Sequence, residues 1–214
     1  MQGLMFSLAL FTFVPAVRDG TVIVLENSNR FVEAYTKSEI THVAILLNEK
    51  DEPWVYEATP HEVRKLRLNA YYVELADFNR GRSESSRLRV RLYQPKQPYT
   101  EGETNNLRSY LDSQLGRRYS IKGYVRNKAA PGVHCAEMVS TSLSRTGRYE
   151  FAKAYAVSPS TLVGEIAASH DAPLDVTLPC CEATGTWCER SQAWWGGVLS
   201  WCGWFCWESL TFYP

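Results

Sequence analysis

Residues 41–59 read THVAILLNEKDEPWVYEAT. Val43 to Leu47 form an unbroken apolar run, Asn48 to Pro53 a polar turn, and Trp54 to Thr59 a second β-prone run. Two such runs around a short polar turn are the signature of an antiparallel hairpin. Pairing about that turn joins residues whose numbers sum to about 99–101, with opposed side chains roughly 5 Å apart at Cβ. His42 then lies opposite a residue between 57 and 59. A register slip of one residue would turn Glu57 to the other face.

Working outward, Gly20–Glu26 (GTVIVLE) reads as a strand, and Asn27, Ser28 and Asn29 offer caps for a helix over 30–37. Beyond the hairpin, Val63–Leu68 reads as a further strand and Tyr71–Phe78 as a short helix. Arg87–Tyr93 (RLRVRLY) alternates, with Leu88, Val90 and Leu92 inward and Arg87, Arg89 and Arg91 outward. Those arginines are read as the solvated face of an edge strand in preference to an anion site. Thr100 and Glu103 make a capping-box pattern before a helix running to Leu115. Cys135–Ser144 and Ser160–Ala168 are further helices. The class expected is α+β, with helices packed on an antiparallel sheet. No internal repeat is visible.

The 214 residues include 45% hydrophobic and 21% charged types, enough for a core and unlike a disordered chain. Lys+Arg and Asp+Glu balance at 23 each, so the basic surplus expected of a nucleic-acid binder is missing. The two ends differ from the middle. Residues 1–16 hold an apolar run (LMFSLALFTFV) followed by Val14-Pro15-Ala16, which reads either as a signal peptide or as a buried N-terminal segment. A signal peptide would send the chain to the cell envelope, the periplasm or the exterior; without one the chain is expected in the cytoplasm. Residues 180–214 carry five of the six cysteines and six of the seven tryptophans. An odd cysteine number leaves one unpaired in any disulfide scheme. The stretch WWGGVLSWCGWFCW (194–207) is too short to span a bilayer and suits its surface, where Trp is favoured; an unstructured tail is the plain alternative. Residues 17–179 are the expected functional domain.

The chemistry centres on Cys135. It opens a helix after a Gly/Pro-containing loop, so its sulfur faces unpaired backbone N–H groups and the positive end of the helix dipole. Both favour the thiolate. A buried structural cysteine is the ordinary alternative. A cysteine nucleophile needs an imidazole. His134 adjoins Cys135, but neighbours at a helix start usually point apart. His61 sits in a turn, and His170, beside Asp171, is expected at the surface. His42 opens the most hydrophobic strand, where a polar ring needs a reason. Glu57 supplies one: across the hairpin it can hold one ring nitrogen of His42 while the other faces a thiol.

The order of His42 in "THVAILL", Glu57 in "VYEATP" and Cys135 in "VHCAEMVSTSL" resembles the circularly permuted branch of the NlpC-type papain-like cysteine hydrolases, the YiiX/YebB-like group. "DGTVIVLENSNRFVEAYTKSEITHVAILL", "GRRYSIKGYV" and "SPSTLVGEI" are similar to that family's first strands, its segment before the nucleophile and its following helix; the likeness spans 19–168. The resemblance implies a permuted papain-like fold, Cys135 as nucleophile, His42 as general base and Glu57 as orienting residue. It also implies that Tyr119 and His134 contribute to substrate binding. The residue before the nucleophile is often aromatic in the family and the one after it often Ser; here they are His134 and Ala136. The Trp/Cys-rich tail has no counterpart.

The expected activity is thiol hydrolysis of an amide bond, in a cell-wall peptide or a related one, through a thioester and with no metal or organic cofactor. Two alternatives stand beside it. One is a lipid-directed thiol hydrolase or acyltransferase, with the Trp-rich tail touching a membrane surface. The other is a binding module that keeps the fold without turnover. The expected partner is a peptide or acyl-containing small substrate, and no nucleic acid.

Overall fold

The structure is a computed structural model, and it describes residues 17–80 and 82–178. The expectations for residues 1–16 and for the tail cysteines and tryptophans lie outside the described residues.

Among the described residues six strands form one sheet in the order β4-β3-β2-β1-β5-β6, and every neighbouring pair is antiparallel. The strands are β1 (Thr21–Glu26), β2 (Ile40–Glu49), β3 (Glu52–Ala58), β4 (Val63–Arg67), β5 (Arg89–Tyr93) and β6 (Leu174–Val176). The helices are α1 (Arg30–Thr36), α2 (Leu68–Phe78), α3 (Glu101–Gln114), α4 (Lys122–Arg126), α5 (Cys135–Ser144) and α6 (Pro159–Ile166). The class is therefore α+β.

β2 is apolar without alternation because both of its faces are covered, and Val43 through Leu47 are fully buried. On one face Val43, Ile45 and Leu47 pack with Leu107 and Leu111 of α3, Met138, Val139 and Leu143 of α5, and Leu162 and Ile166 of α6. On the other, Ala44 and Leu46 pack with Leu68, Tyr71 and Leu75 of α2.

The β2–β3 hairpin closes in a tighter turn than the expected Asn48–Pro53. Its two central residues, Lys50 and Asp51, have φ of 49° and 65°, the left-handed pair that two-residue hairpins demand. The register runs from Glu49↔Glu52 to Ile45↔Tyr56. Pro53 pairs with Asn48 at a non-hydrogen-bonded row, and the β3–β4 ladder starts only at Trp54↔Arg67, so the missing N–H removes no ladder bond.

Several expectations need correction. β5 is an interior strand between β1 and β6, and its arginines are not simply solvated: Arg91 and Arg89 pair with the buried Glu26 at 2.7 and 3.0 Å. α2 starts at Leu68, which was expected to end a strand, and uses it as a core residue. β6 and α4 were not anticipated; three and five residues are too short to carry a periodic signal. The capping box at Thr100 and Glu103 is present on both sides, and α3 follows it as far as Gln114.

Candidate functional site

Cys135 is fixed by the segment that leads into it. Val63 N–H donates to Arg117 O at 2.9 Å and Gly116 N–H to Val63 O at 2.9 Å, which ties residues 116–118 to the start of β4. Val133 N–H in turn donates to Arg118 O at 3.1 Å, and Ser120 N–H to Val133 O at 3.2 Å. Gly132 lies so close to Ser120 that any Cβ there would collide with the serine's own. The chain then turns into α5, with His134 as its cap. The His134 Nδ1 accepts from Glu137 N–H at 3.4 Å, and its Nε2 donates to Tyr155 O at 3.0 Å. An imidazole therefore does the work usually given to Ser, Thr or Asp. Cys135 occupies the first helical position and is 4% exposed.

His42 and Glu57 come from the hairpin. β2 carries a bulge immediately before His42: Leu25 pairs with His42 and Glu26 with Ile40, which leaves Thr41 unopposed. Bulges re-aim the side chains beside them. Thr41 itself is buried and bonded, accepting from Ser28 N–H at 3.0 Å. His42 Nε2 donates to Glu57 Oε2 at 3.1 Å. The Glu57 side chain is only 6% exposed, and its second oxygen is also used: Arg64 Nε donates to Oε1 at 2.7 Å. With Nε2 committed to Glu57, Nδ1 is the nitrogen of His42 left for a sulfur.

The electrostatics tie these groups to Cys135. Burial alone would raise the thiol, but the His42 charge beside it and hydrogen bonding with His134 and His42 override burial and bring Cys135 well below the usual thiol range. Burial likewise opposes protonation of His42. The facing Cys135 and then Glu57 outweigh it, so the imidazole is held protonated well above its ordinary value. Glu57 is lowered despite burial, because His42 and Arg64 both favour its ionised form. The stable arrangement is thus a thiolate, an imidazolium and a carboxylate in sequence. Such a sulfur is a nucleophile at neutral pH, and the imidazolium beside it is a proton donor.

The other residues singled out in the sequence fall in different places. Tyr119 is half-buried against the core, and its backbone forms a bridge with Val133, two residues before Cys135. His134 does not point away from Cys135; it interacts with the thiol, and at 4% exposure with both ring nitrogens engaged its place is that of a helix cap. His61 is exposed in the turn after β3. His170 is buried, at 1% exposure, contrary to the expected surface position; its Nδ1 lies 3.1 Å from Ile166 O and its ring 6.1 Å from that of Tyr149. Two surface depressions, of about 610 and 470 Å³, lie elsewhere, against Asn27 and Lys37 and against Asn106 and Arg145. Arg64 is the site residue that sequence reading missed. Its signal was present in the short connection 59–62, which sets Glu57 opposite Arg64 in the β3–β4 ladder.

No family model matches the chain, and no curated protein matches it. Among solved structures it is similar to the crystal structure of the metalloprotein yiiX from Escherichia coli O157:H7, a DUF1105 protein. The TM-score is 0.51 and the identity 13%, over 76% of this chain and 98% of that one. At that identity the likeness speaks for the fold, a YiiX-like α+β architecture. Among the described residues of this chain no group of three or more His, Cys, Asp and Glu side chains is placed to hold a metal ion. Glu57, His42 and Cys135 follow one another in series, whereas metal ligands converge on one point.

Proposed function

We propose that this protein is a cysteine hydrolase of permuted papain-like arrangement, in which the strands bearing the base precede the helix bearing the nucleophile. Cys135 is the nucleophile, His42 its general base and acid, and Glu57 the residue that orients His42. The thiolate attacks an amide or related acyl carbonyl, and the Cys135 backbone N–H at the start of α5 helps hold the oxyanion. The His42 imidazolium gives its proton to the leaving amine. A thioester remains on Cys135. Water, deprotonated by the now neutral His42, displaces the sulfur and releases the acid. The substrate class favoured is a small peptide or acyl amide. Tyr119, beside the loop that leads to Cys135, is the residue we assign to its recognition.

The observation that carries this reading is the continuous Glu57–His42–Cys135 series, with His42 Nε2 3.1 Å from the carboxylate of a 6% exposed Glu57 side chain and the thiol held below its ordinary range. The test is acyl-enzyme trapping on the full chain. With a p-nitrophenyl acyl ester, a burst of one nitrophenolate per chain should accompany an acyl mass on the Cys135 peptide. Cys135→Ala and His42→Ala should abolish the burst. Acylation spread evenly over the tail cysteines, or none at all, contradicts the reading.

A further inference from the structure

The carboxylate that holds His42 is itself held. Glu57 has two oxygens and one protein partner for each: Oε2 accepts from His42, and Oε1 accepts from Arg64 Nε at 2.7 Å. Arg64 stands directly opposite Glu57 in the β3–β4 ladder. Its guanidinium does not end there. The terminal nitrogens bond both oxygens of Glu74, one at 3.3 Å, on α2. Glu57 is almost fully buried, whereas the side chains of Arg64 and Glu74 are 38% and 50% exposed. The series therefore runs from the surface of α2, through a guanidinium clamped at both ends, to the buried imidazole and the sulfur.

We infer that Arg64 is a positioning residue of this site: anchored by Glu74, it fixes the Glu57 carboxylate with one oxygen turned to His42. The inference rests on the thiol-hydrolase reading and extends it by making α2 part of the machinery. The planar fork of arginine matters, because Nε and Nη2 both reach Glu57 Oε1 while Nη1 and Nη2 reach the two oxygens of Glu74, a spread that the single ammonium of lysine cannot reproduce. Without Arg64, Oε1 of a buried carboxylate loses its partner. Such a carboxylate takes up a proton or turns away, and in either state it no longer supports the imidazolium.

If Arg64 is only a nearby positive charge, its removal also disfavours the thiolate, so the direction in Arg64→Met does not separate the two cases. They separate in Glu74→Gln, where losing a nearby anion would favour the thiolate and move the limb to lower pH, and in the double variant, where a bare charge effect would add to that of Glu57→Gln. The pH dependence of iodoacetamide alkylation is followed on the Cys135 peptide by mass spectrometry, in the full chain. In Arg64→Met the low-pH limb of alkylation should move to higher pH by about one pH unit. Arg64→Lys should recover part of that displacement, and Glu74→Gln should show a smaller displacement in the same direction. Glu57→Gln combined with Arg64→Met should behave like Glu57→Gln alone, since Arg64 acts through Glu57. Arg64→Lys and Glu74→Gln are milder changes and carry the test should Arg64→Met fold poorly. A limb that stays in place or moves to lower pH in these variants, or additivity in the double variant, overturns the inference alone. A wild-type profile without any low-pH limb overturns the thiol reading and this inference with it.

Discussion

Two buried glutamates sit at strand ends of the same sheet and meet different fates. Glu26, closing β1, is 3% exposed and paired with Arg91 at 2.7 Å and Arg89 at 3.0 Å from the neighbouring strand. Glu57, near the end of β3, is 5% exposed and paired with one arginine, also from the neighbouring strand. The difference lies in the last oxygen. Both oxygens of Glu26 lie in ion-pair range of guanidinium groups, although Oε2 makes no hydrogen bond, and both of those partners are permanently charged. Glu57 keeps one for His42, and through His42 it reaches Cys135. A buried ion pair by itself says little about function. What separates the two is whether the pair ends on a permanently charged group or on one that can give up its proton.

That contrast can be broken by substitution. Glu57→Gln has the largest expected effect: an amide cannot stabilise the imidazolium, and turnover of any acyl substrate should fall about 10²-fold or more, while circular dichroism shows the fold retained. Glu26→Gln should do the reverse. It leaves two arginines facing a neutral side chain, and because both are partly solvated the cost in a urea unfolding curve should be roughly 1–3 kcal/mol. Alkylation of Cys135 should be unchanged. Glu26→Gln slowing Cys135, or Glu57→Gln leaving it untouched, would erase the distinction.

The pH dependence of stability sharpens it. Unfolded, the thiol and imidazole titrate near their ordinary values of about 8.5 and 6.5. Folded, the thiol is lowered and the imidazole raised. Between those ordinary values both states hold one proton on the pair, so its contribution does not change with pH. Below about 6.5 the unfolded chain holds two protons to the folded one's single proton, and stability falls as pH drops. Above about 8.5 the unfolded chain holds none, and stability falls as pH rises. The difference in urea midpoint between wild type and Cys135→Ala should therefore form a plateau with a slope on each side. A monotonic difference would mean that the two groups are not paired. The smallest effect is expected far from both glutamates. Thr100→Ala removes the α3 cap and should cost about 1 kcal/mol, with Cys135 alkylation unaffected.

The hairpin was legible because β2 is buried on both faces, which leaves an apolar run no turn could interrupt. Its register was readable to within a residue. Continued from Ile45↔Tyr56, the ladder sets position 59 opposite His42, so the imidazole reaches Glu57 along a diagonal. α5 was legible to its ends because its apolar positions share one face. Other features were hidden. The environment of Glu26 depends on β1 and β5, 63 residues apart in their Glu26↔Arg89 pairing, and no local pattern announces it. His170 looked exposed beside Asp171, yet its ring packs near Tyr149, a contact set by tertiary structure alone. The sequence position of His134 does not reveal its capping role, which depends on Tyr155 approaching from another segment.

The central claim is that His42 and Glu57 make one sulfur unusually nucleophilic. Iodoacetamide labelling of the native, reduced full chain at pH 6, resolved by cysteine, tests it most directly. Cys135 should label faster than any of the five tail cysteines, and His42→Ala should bring it down to their rate. Equal labelling of all six cysteines, or a Cys135 rate indifferent to His42→Ala, would contradict it.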